Sequence, residues 1–311
     1  MLNRMLTIEI ARVTEAAAIA AATMRGRGDE KQADQLAVDA MRTALNDIDM
    51  DGKVVIGEGE RDEAPMLYIG EKVGTGKGPR IDIALDPLEG TTLCAKAMPD
   101  SLAVIAMAVG GSLLHAPDSY MSKIAIGPDY PEGTIDLDAS PEENLNALAK
   151  AKGVNTEHLT ACVLDRPRHA ELIAAIRATG AGVRLISDGD IAGVIHTTDP
   201  DNTGIDIYMG VGGAPEGVLA AAALRCIGGQ MQGRLVVRNA DEEERARRFG
   251  IDDLDRIYHL RDLASGDVVF AATGVTDGTM LTGVRFHADH ILTETVVMRS
   301  SSGTVRWIKS D

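Results

Sequence analysis

The sequence predicts an α/β protein, and three observations carry that prediction. Short β-branched runs alternate with helical stretches through the second half, an Ala-rich helix and a second, capped helix open the chain, and the strands stop abruptly at Gly, Pro or acidic residues. With 311 residues, 45% of them hydrophobic, the chain can bury a large core. We read it as one catalytic unit of two lobes, approximately 1–155 and 156–311.

Residues 5–24 read as an Ala-rich helix. After the turn Gly26-Arg27-Gly28 a second helix opens at Asp29, which with Gln32 has the spacing of a capping box. Strands follow at 53–57, 81–85 and 102–109. The second half adds strands at 159–164, 183–187, 205–211 and 231–237, with helices at 170–179 and 215–226. A charged helix over 241–249 and strands at 267–272 and 293–297 complete the pattern, with no internal repeat and no low-complexity tract. Ligands of open α/β sheets bind at strand ends, so chemistry is sought there.

The segment Ile81 to Thr92, IDIALDPLEGTT, runs an apolar strand into Asp86, Pro87, Glu89, Gly90 and Thr91. Two carboxylates and a hydroxyl then share one tight turn, and hard cations such as Mg²⁺ or Mn²⁺ take such oxygen ligands. A plain Asp-Pro surface turn would look the same. The strand before Gly57 ends in GEGERDEAP, where Glu58 and Glu60 point the same way in an extended chain; a solvated acidic loop is the alternative. On the second helix Asp34 shares a face with Ala37, Val38 and Met41, which puts an acid on the buried stripe or marks the helix's exposed start. Glu216 falls in the first turn of the helix that follows GGAPEG, where it is either a metal ligand or an acid suiting the helix dipole. The loops DRPRH (165–169) and SDGD (187–190) also follow strands. There Arg166 and Arg168 suit a phosphate and Asp188 and Asp190 suit sugar hydroxyls, against the plainer readings of a surface Arg pair and an Asp-Gly turn.

Several classes are excluded. A net charge of −16 argues against nucleic acid, whereas a phosphorylated substrate is compatible with it once cations sit among the acids. No long apolar run predicts a membrane span and no leader is recognisable at the N-terminus, so a cytoplasmic protein is expected. Cys94, Cys162 and Cys226 are scattered and read as reduced core residues, although the nearness of Cys94 to Thr91 leaves redox sensitivity open. The His287-Ala-Asp-His290 group lacks a third ligand for zinc, and no GxSxG, P-loop or GxGxxG element is present.

The motifs DPLEGTT, IGEGERDEAPM, DRPRH, SDGD, GGAPEG and ATGVTDG, in that set, closely resemble class II (GlpX-type) fructose-1,6-bisphosphatases over about Thr14 to Gly283. The resemblance implies the sugar-phosphatase fold of the lithium-sensitive phosphatase superfamily, a layered αβαβα sandwich with two lobes around a metal-lined cleft. The first lobe would hold metal and the second the sugar phosphate. It implies hydrolysis of the 1-phosphate of fructose 1,6-bisphosphate with Mg²⁺ or Mn²⁺, in a homo-oligomer. Asp34, Glu58, Asp86, Glu89 and Glu216 are carried over as metal ligands. Glu89, Gly90, Thr91, Tyr120, Arg166, Pro167, Arg168, Asp188, Gly189, Asp190 and Gly213 are carried over as substrate contacts. Thr91, with Asp62 nearby, matches the group that activates the attacking water. Two departures stand out: Glu89 where the superfamily has Asp, and Glu30 where class II chains often have Lys. Rival readings are a sedoheptulose-1,7-bisphosphatase or dual-specificity enzyme, an inositol-monophosphatase-like activity, and a catalytically silent sugar-phosphate sensor.

Overall fold

The computed structural model describes residue 2, residues 4–59 and residues 66–311. The chain divides into two compact units, residues 1–115 with 264–311, and residues 116–263. This differs from lobes of 1–155 and 156–311, because the last strands return to the sheet begun by the first.

The first unit opens with α1 (Leu6–Ala22) and α2 (Glu30–Asn46), then β1 (Asp51–Ile56), β2 (Lys72–Val73), β3 (Arg80–Glu89), α3 (Thr91–Ala95) and β4 (Leu102–Val109). The second unit holds β5 (Tyr120–Ile126), α4 (Pro141–Lys152), β6 (Thr160–Leu164), α5 (Ala170–Ala178), β7 (Gly182–Ile186), α6 (Asp190–Ile195) and α7 (Pro200–Thr203). It continues with β8 (Ile207–Gly213), α8 (Ala214–Ile227), β9 (Gln230–Val236), α9 (Ala240–Arg248), β10 (Tyr258–His259) and α10 (Leu260–Leu263). The chain then adds β11 (Val268–Gly274), β12 (Arg285–Phe286), β13 (Ile291–Arg299) and β14 (Thr304–Ser310).

Among the described residues the first unit has an eight-stranded mixed sheet in the order β12-β13-β11-β4-β3-β1-β2, with β14 paired to β13. Its one parallel pair is β1 with β3. Helix α1 packs on β11, β13, β4 and β3. Its fully buried Ala17, Ala18 and Ala21 supply a small-residue surface that lets the backbone lie close to that sheet. A buried hydroxyl chain fixes the contact: Thr273 Oγ1 on β11 lies 2.7 Å from Thr14 Oγ1 on α1 and 2.8 Å from Thr295 Oγ1 on β13. Asp29 caps α2 by accepting from Gln32 N at 3.0 Å, and the buried stripe Ala33, Ala37, Val38, Met41 and Leu45 follows with helical spacing.

The second unit has a six-stranded mixed sheet in the order β10-β9-β5-β8-β6-β7. Alternation along β5 sends its side chains to opposite faces. Ile124 and Ile126 join the apolar cluster of α4 and α5, while Met121 and Lys123 lie against Gly217 of α8, where an added Cβ would stand 2.8 Å from Met121 Sδ. Helices therefore cover both faces, as the α/β pattern requires. Cys94, Cys162 and Cys226 are all free and buried. No helix of the described residues is long and apolar enough to cross a membrane.

Candidate active site

In the first unit the expected ligand residues come from three elements. Glu58 lies two residues beyond β1, and Gly57 before it is needed because a Cβ there would fall on the Leu67 carbonyl oxygen and 2.7 Å from Val54 Cγ1. Glu58 N in turn donates to Leu67 O at 3.1 Å. Asp34 stands half-buried on α2, and Asp86 and Glu89 lie on β3. The DPLE segment is strand and not a tight turn. Its register against β4 breaks between Asp86 and Glu89, the irregularity expected where Pro87 cannot donate to the ladder. Asp86 Oδ1 accepts from Leu88 N at 3.0 Å across that break.

The strand end is clamped from the other side by fully buried Ser101, whose hydroxyl donates to Glu89 O at 3.0 Å and whose N donates to Thr276 Oγ1 at 3.0 Å. Gly90 then turns the chain into α3 with φ 75, and a Cβ there would meet Leu93 Cδ1 at 2.8 Å. Half-buried Thr91 is the first residue of α3. The Gly26-Arg27-Gly28 turn docks on the end of that short helix, with Gly26 N donating to Cys94 O and Gly28 N to Ala95 O, both at 2.9 Å. Asp34's helix and the DPLEGTT segment are thereby held as one piece.

Electrostatics reports the closeness of the acids. Burial pushes the Glu58 carboxyl up to about 9, and the charges of Asp86 and Asp34 add to the effect; burial also raises Asp34. Among the described residues no three His, Cys, Asp or Glu are closed tightly enough to hold a metal ion. The donor set is nonetheless all oxygen and self-repelling, the chemistry that suits a hard divalent cation. Glu60 and Asp62 lie outside the described residues.

In the second unit Tyr120 opens β5 beneath two guanidinium groups, Arg168 at 5.1 Å and Arg238 at 4.3 Å from the ring centroid. Arg166 donates to Ser187 O at 2.6 Å, which ties DRPRH to SDGD; Arg168 donates twice to Val211 O, at 3.1 and 2.6 Å, which ties it to β8. Pro167 begins a single 3₁₀ turn, Pro167–His169, with Arg166 just before it and Arg168 within it. His169 completes the staple: Nδ1 lies 2.7 Å from Leu164 O, and Val211 N donates to Nε2 at 2.8 Å. A carbonyl only accepts and an N–H only donates, so the ring is neutral with its proton on Nδ1. Burial, the largest cause, holds His169 below its ordinary value. The unfolded chain therefore takes up a proton near pH ~6.5 that the fold refuses, and stability falls as pH drops below that point. Thermal melts between pH 7.5 and 5.5 should show this slope, and His169→Gln should flatten it at the cost of a lower melting temperature.

Gly189 turns left-handed at φ 82, and Asp190 starts α6 with its side chain buried. Its carboxylate pairs with the ammonium of Lys123, which is 2% exposed and also donates to Gly213 O at 2.8 Å. Asp188, two residues before Asp190 in the chain, is half-buried. The helix begins at Ala214, inside GGAPEG and one residue before Pro215, and half-buried Glu216 lies in its first turn; a Cβ on Gly213 would fall on the Glu216 carboxylate. Tyr120, Gly213 and Glu216 share the wall of a cavity of about 590 Å³ with Arg238 and Arg245, whereas Arg166, Asp188 and Asp190 stand outside that wall.

The model of the family described as bacterial fructose-1,6-bisphosphatase, glpX-encoded, matches residues 4–311. The chain belongs to this family. It is 48% identical to the D-fructose 1,6-bisphosphatase class 2/sedoheptulose 1,7-bisphosphatase of Synechococcus sp. (strain JA-3-3Ab), over 99% of this chain and 95% of that protein. A protein of the same name from Synechococcus sp. (strain CC9902) is 47% identical, over 97% of this chain and 94% of that one. The family match spans both units. Lys123, Ser101 and Arg238 were not legible from the motifs. A lysine inside the apolar strand YMSKIAI was the available signal for the first, since a charge at a core position demands a partner.

Proposed function

We propose that this protein hydrolyses the 1-phosphate of fructose 1,6-bisphosphate to fructose 6-phosphate and inorganic phosphate with the help of Mg²⁺ or Mn²⁺. The observation that carries the reading is the match to the bisphosphatase family over residues 4–311, and the mutual charge repulsion of Glu58 with Asp86 and Asp34 supports a cation among them. Within a family of bisphosphatases, such a set has a ready use. Asp34, Glu58, Asp86, Glu89 and Glu216 are the side chains that would hold the cations. A bound divalent cation supplies charge neutralisation at phosphorus and a lowered pKa for water.

The remaining work falls to the chain's own groups. The Thr91 hydroxyl, with Asp62, orients the attacking water. Gly90, whose lack of a side chain leaves the backbone open, lets the phosphoryl group approach beside Glu89. Tyr120, Arg166, Pro167, Arg168, Asp188, Gly189, Asp190 and Gly213 form the sugar-phosphate contacts, the arginines countering charge and the aspartates accepting from hydroxyls. The names of the Synechococcus relatives favour a second activity on sedoheptulose 1,7-bisphosphate. We further propose a homo-oligomer, measurable as mass by light scattering.

Phosphate release from fructose 1,6-bisphosphate with Mg²⁺, with Mn²⁺ and with chelator tests the proposal, alongside sedoheptulose 1,7-bisphosphate and inositol 1-phosphate. Metal-dependent release that prefers bisphosphates supports it, and release from none of the three overturns it in favour of a silent sensor. Glu216→Gln, which keeps the shape and removes the charge, should lower kcat by about a hundredfold or more, equivalent to ~3 kcal/mol of transition-state stabilisation, with an unchanged circular dichroism spectrum. Near wild-type turnover in that variant would remove Glu216 from the ligand set.

A further inference from the structure

We propose that the pocket formed by the start of α1 and the turn between β13 and β14 is a binding site for a small organic phosphate, separate from the acids described above. The pocket has a volume of about 570 Å³, and Arg4, Arg299, Arg306, Thr7, Ser301 and Ile8 contribute to its wall. Three guanidinium groups and neighbouring hydroxyls face one space, and among the described residues no carboxylate lines it. In a chain of net charge −16 this concentration of cations is against the average of the surface.

Arg299 is the fixed part. It is 6% exposed, and its guanidinium donates to Ser301 Oγ at 2.7 Å, Thr7 Oγ1 at 3.2 Å and Leu2 O at 2.6 Å. Asp267, which does not line the pocket, stands 3.6 Å from Arg299 and also accepts from Leu2 N at 2.7 Å. Arg4 and Arg306 are the adjustable part. Both are exposed, and among the described residues neither is paired with a carboxylate. Arg306 donates to Thr304 Oγ1 at 2.6 Å, which holds it on the rim.

Guanidinium forks match the oxygens of a phosphate, and while Asp267 already balances Arg299, the exposed forks of Arg4 and Arg306 are the ones open to an anion. The volume lies in the range of about 300–1,000 Å³ that suits a small organic ligand, more than inorganic phosphate fills. Ile8, 51% exposed, offers an apolar wall for the organic part. The ligand class is therefore a phosphate monoester with an apolar or flat substituent.

Isothermal titration of the full-length protein in EDTA, with phenyl phosphate as probe and with inorganic phosphate and chloride at matched ionic strength, tests this. Saturable binding of phenyl phosphate is expected, tighter than that of inorganic phosphate and weakened tenfold or more in Arg4→Ala/Arg306→Ala. The same affinity should persist in Arg166→Ala, which alters the loop expected to contact substrate. Both substituted pocket side chains are exposed, and a circular dichroism melt of the double variant, with Arg306→Ala alone beside it, checks that the fold is kept. Heats that match chloride, or that survive the double substitution, overturn the site. A loss of oligomeric mass in the double variant with phenyl phosphate affinity unchanged also overturns it, and makes this face a contact between copies of the chain.

Discussion

Glu58→Gln should lower turnover by about a thousandfold, the equivalent of ~4 kcal/mol of transition-state stabilisation, while making the metal-free protein harder to melt. The two effects have one cause. In the fold Glu58 keeps its proton to about pH 9, because burial and the neighbouring Asp86 and Asp34 charges oppose ionisation. In the unfolded chain it loses that proton at the ordinary carboxylate value of about 4.5. Below that value both states are protonated and the group costs nothing. As pH rises from there towards 9, the unfolded state is increasingly favoured, so the metal-free protein loses stability across the neutral range. Glutamine fills the same space without titrating, and a gain of about 5 °C in melting temperature is expected at pH 7.5. Mg²⁺ should reverse the ranking by giving the ionised carboxylate a counter-charge, raising the wild-type melting temperature more than that of the variant. Equal Mg²⁺ shifts in the two proteins, or an active variant, would take Glu58 out of the metal set.

This coupling shows what the sequence made legible. The alternation of strands and helices was readable because each strand is bounded by Gly, Pro or acids, and β4 matches its apolar run from Leu102 to Val109 end to end. Asp34 could be placed on a buried stripe because helical periodicity is local, and Ala37, Val38 and Met41 are indeed buried. The motifs located the candidate residues, yet they gave no distance between Asp34, Glu58 and Asp86, which are far apart in the chain and meet only through the packing of α2 on α3 and β3.

What was missed was missed for physical reasons. The division of the chain near 115 and 263 depends on β11, β13 and β14 rejoining β4, a long-range pairing with no local signature. The DPLE segment read as a turn because Asp-Pro usually makes one, but the β4 partner keeps it in the sheet as an irregular strand. Helix α4 did carry a local signature, Ser140 followed by Pro141 and Glu143. Both reciprocal bonds of its capping box form, Glu143 N to Ser140 Oγ at 3.2 Å and Ser140 N to Glu143 Oε2 at 2.8 Å.

Lys123 is the strongest case of a residue visible only in three dimensions. Its ammonium joins Asp190, at the start of α6, to the carbonyl of Gly213, at the end of β8, from a strand that begins with Tyr120. Three expected substrate contacts therefore depend on one buried cation. Lys123→Met should destabilise the protein by about 3–5 kcal/mol, because the Asp190 carboxylate stays buried without its counter-charge. Lys123→Met/Asp190→Asn removes both charges and should recover most of that stability without recovering function. Its kcat/KM for the sugar bisphosphate should remain at least about tenfold down, a loss of ~1.4 kcal/mol, since the Gly213 carbonyl and the side chain at position 190 both lose the donor that held them. Lys123→Arg should not rescue either property. A Cβ built on Gly212 would fall on the Asp190 carboxylate and stand 3.1 Å from Lys123 Nζ, so the space around the ammonium has no room for a guanidinium fork. Melting curves and substrate-saturation kinetics on the three variants separate the roles. If the double variant regains full kcat/KM along with its stability, the pair only holds the fold. If stability returns and catalytic efficiency does not, Lys123 sets the position of the groups that meet the substrate.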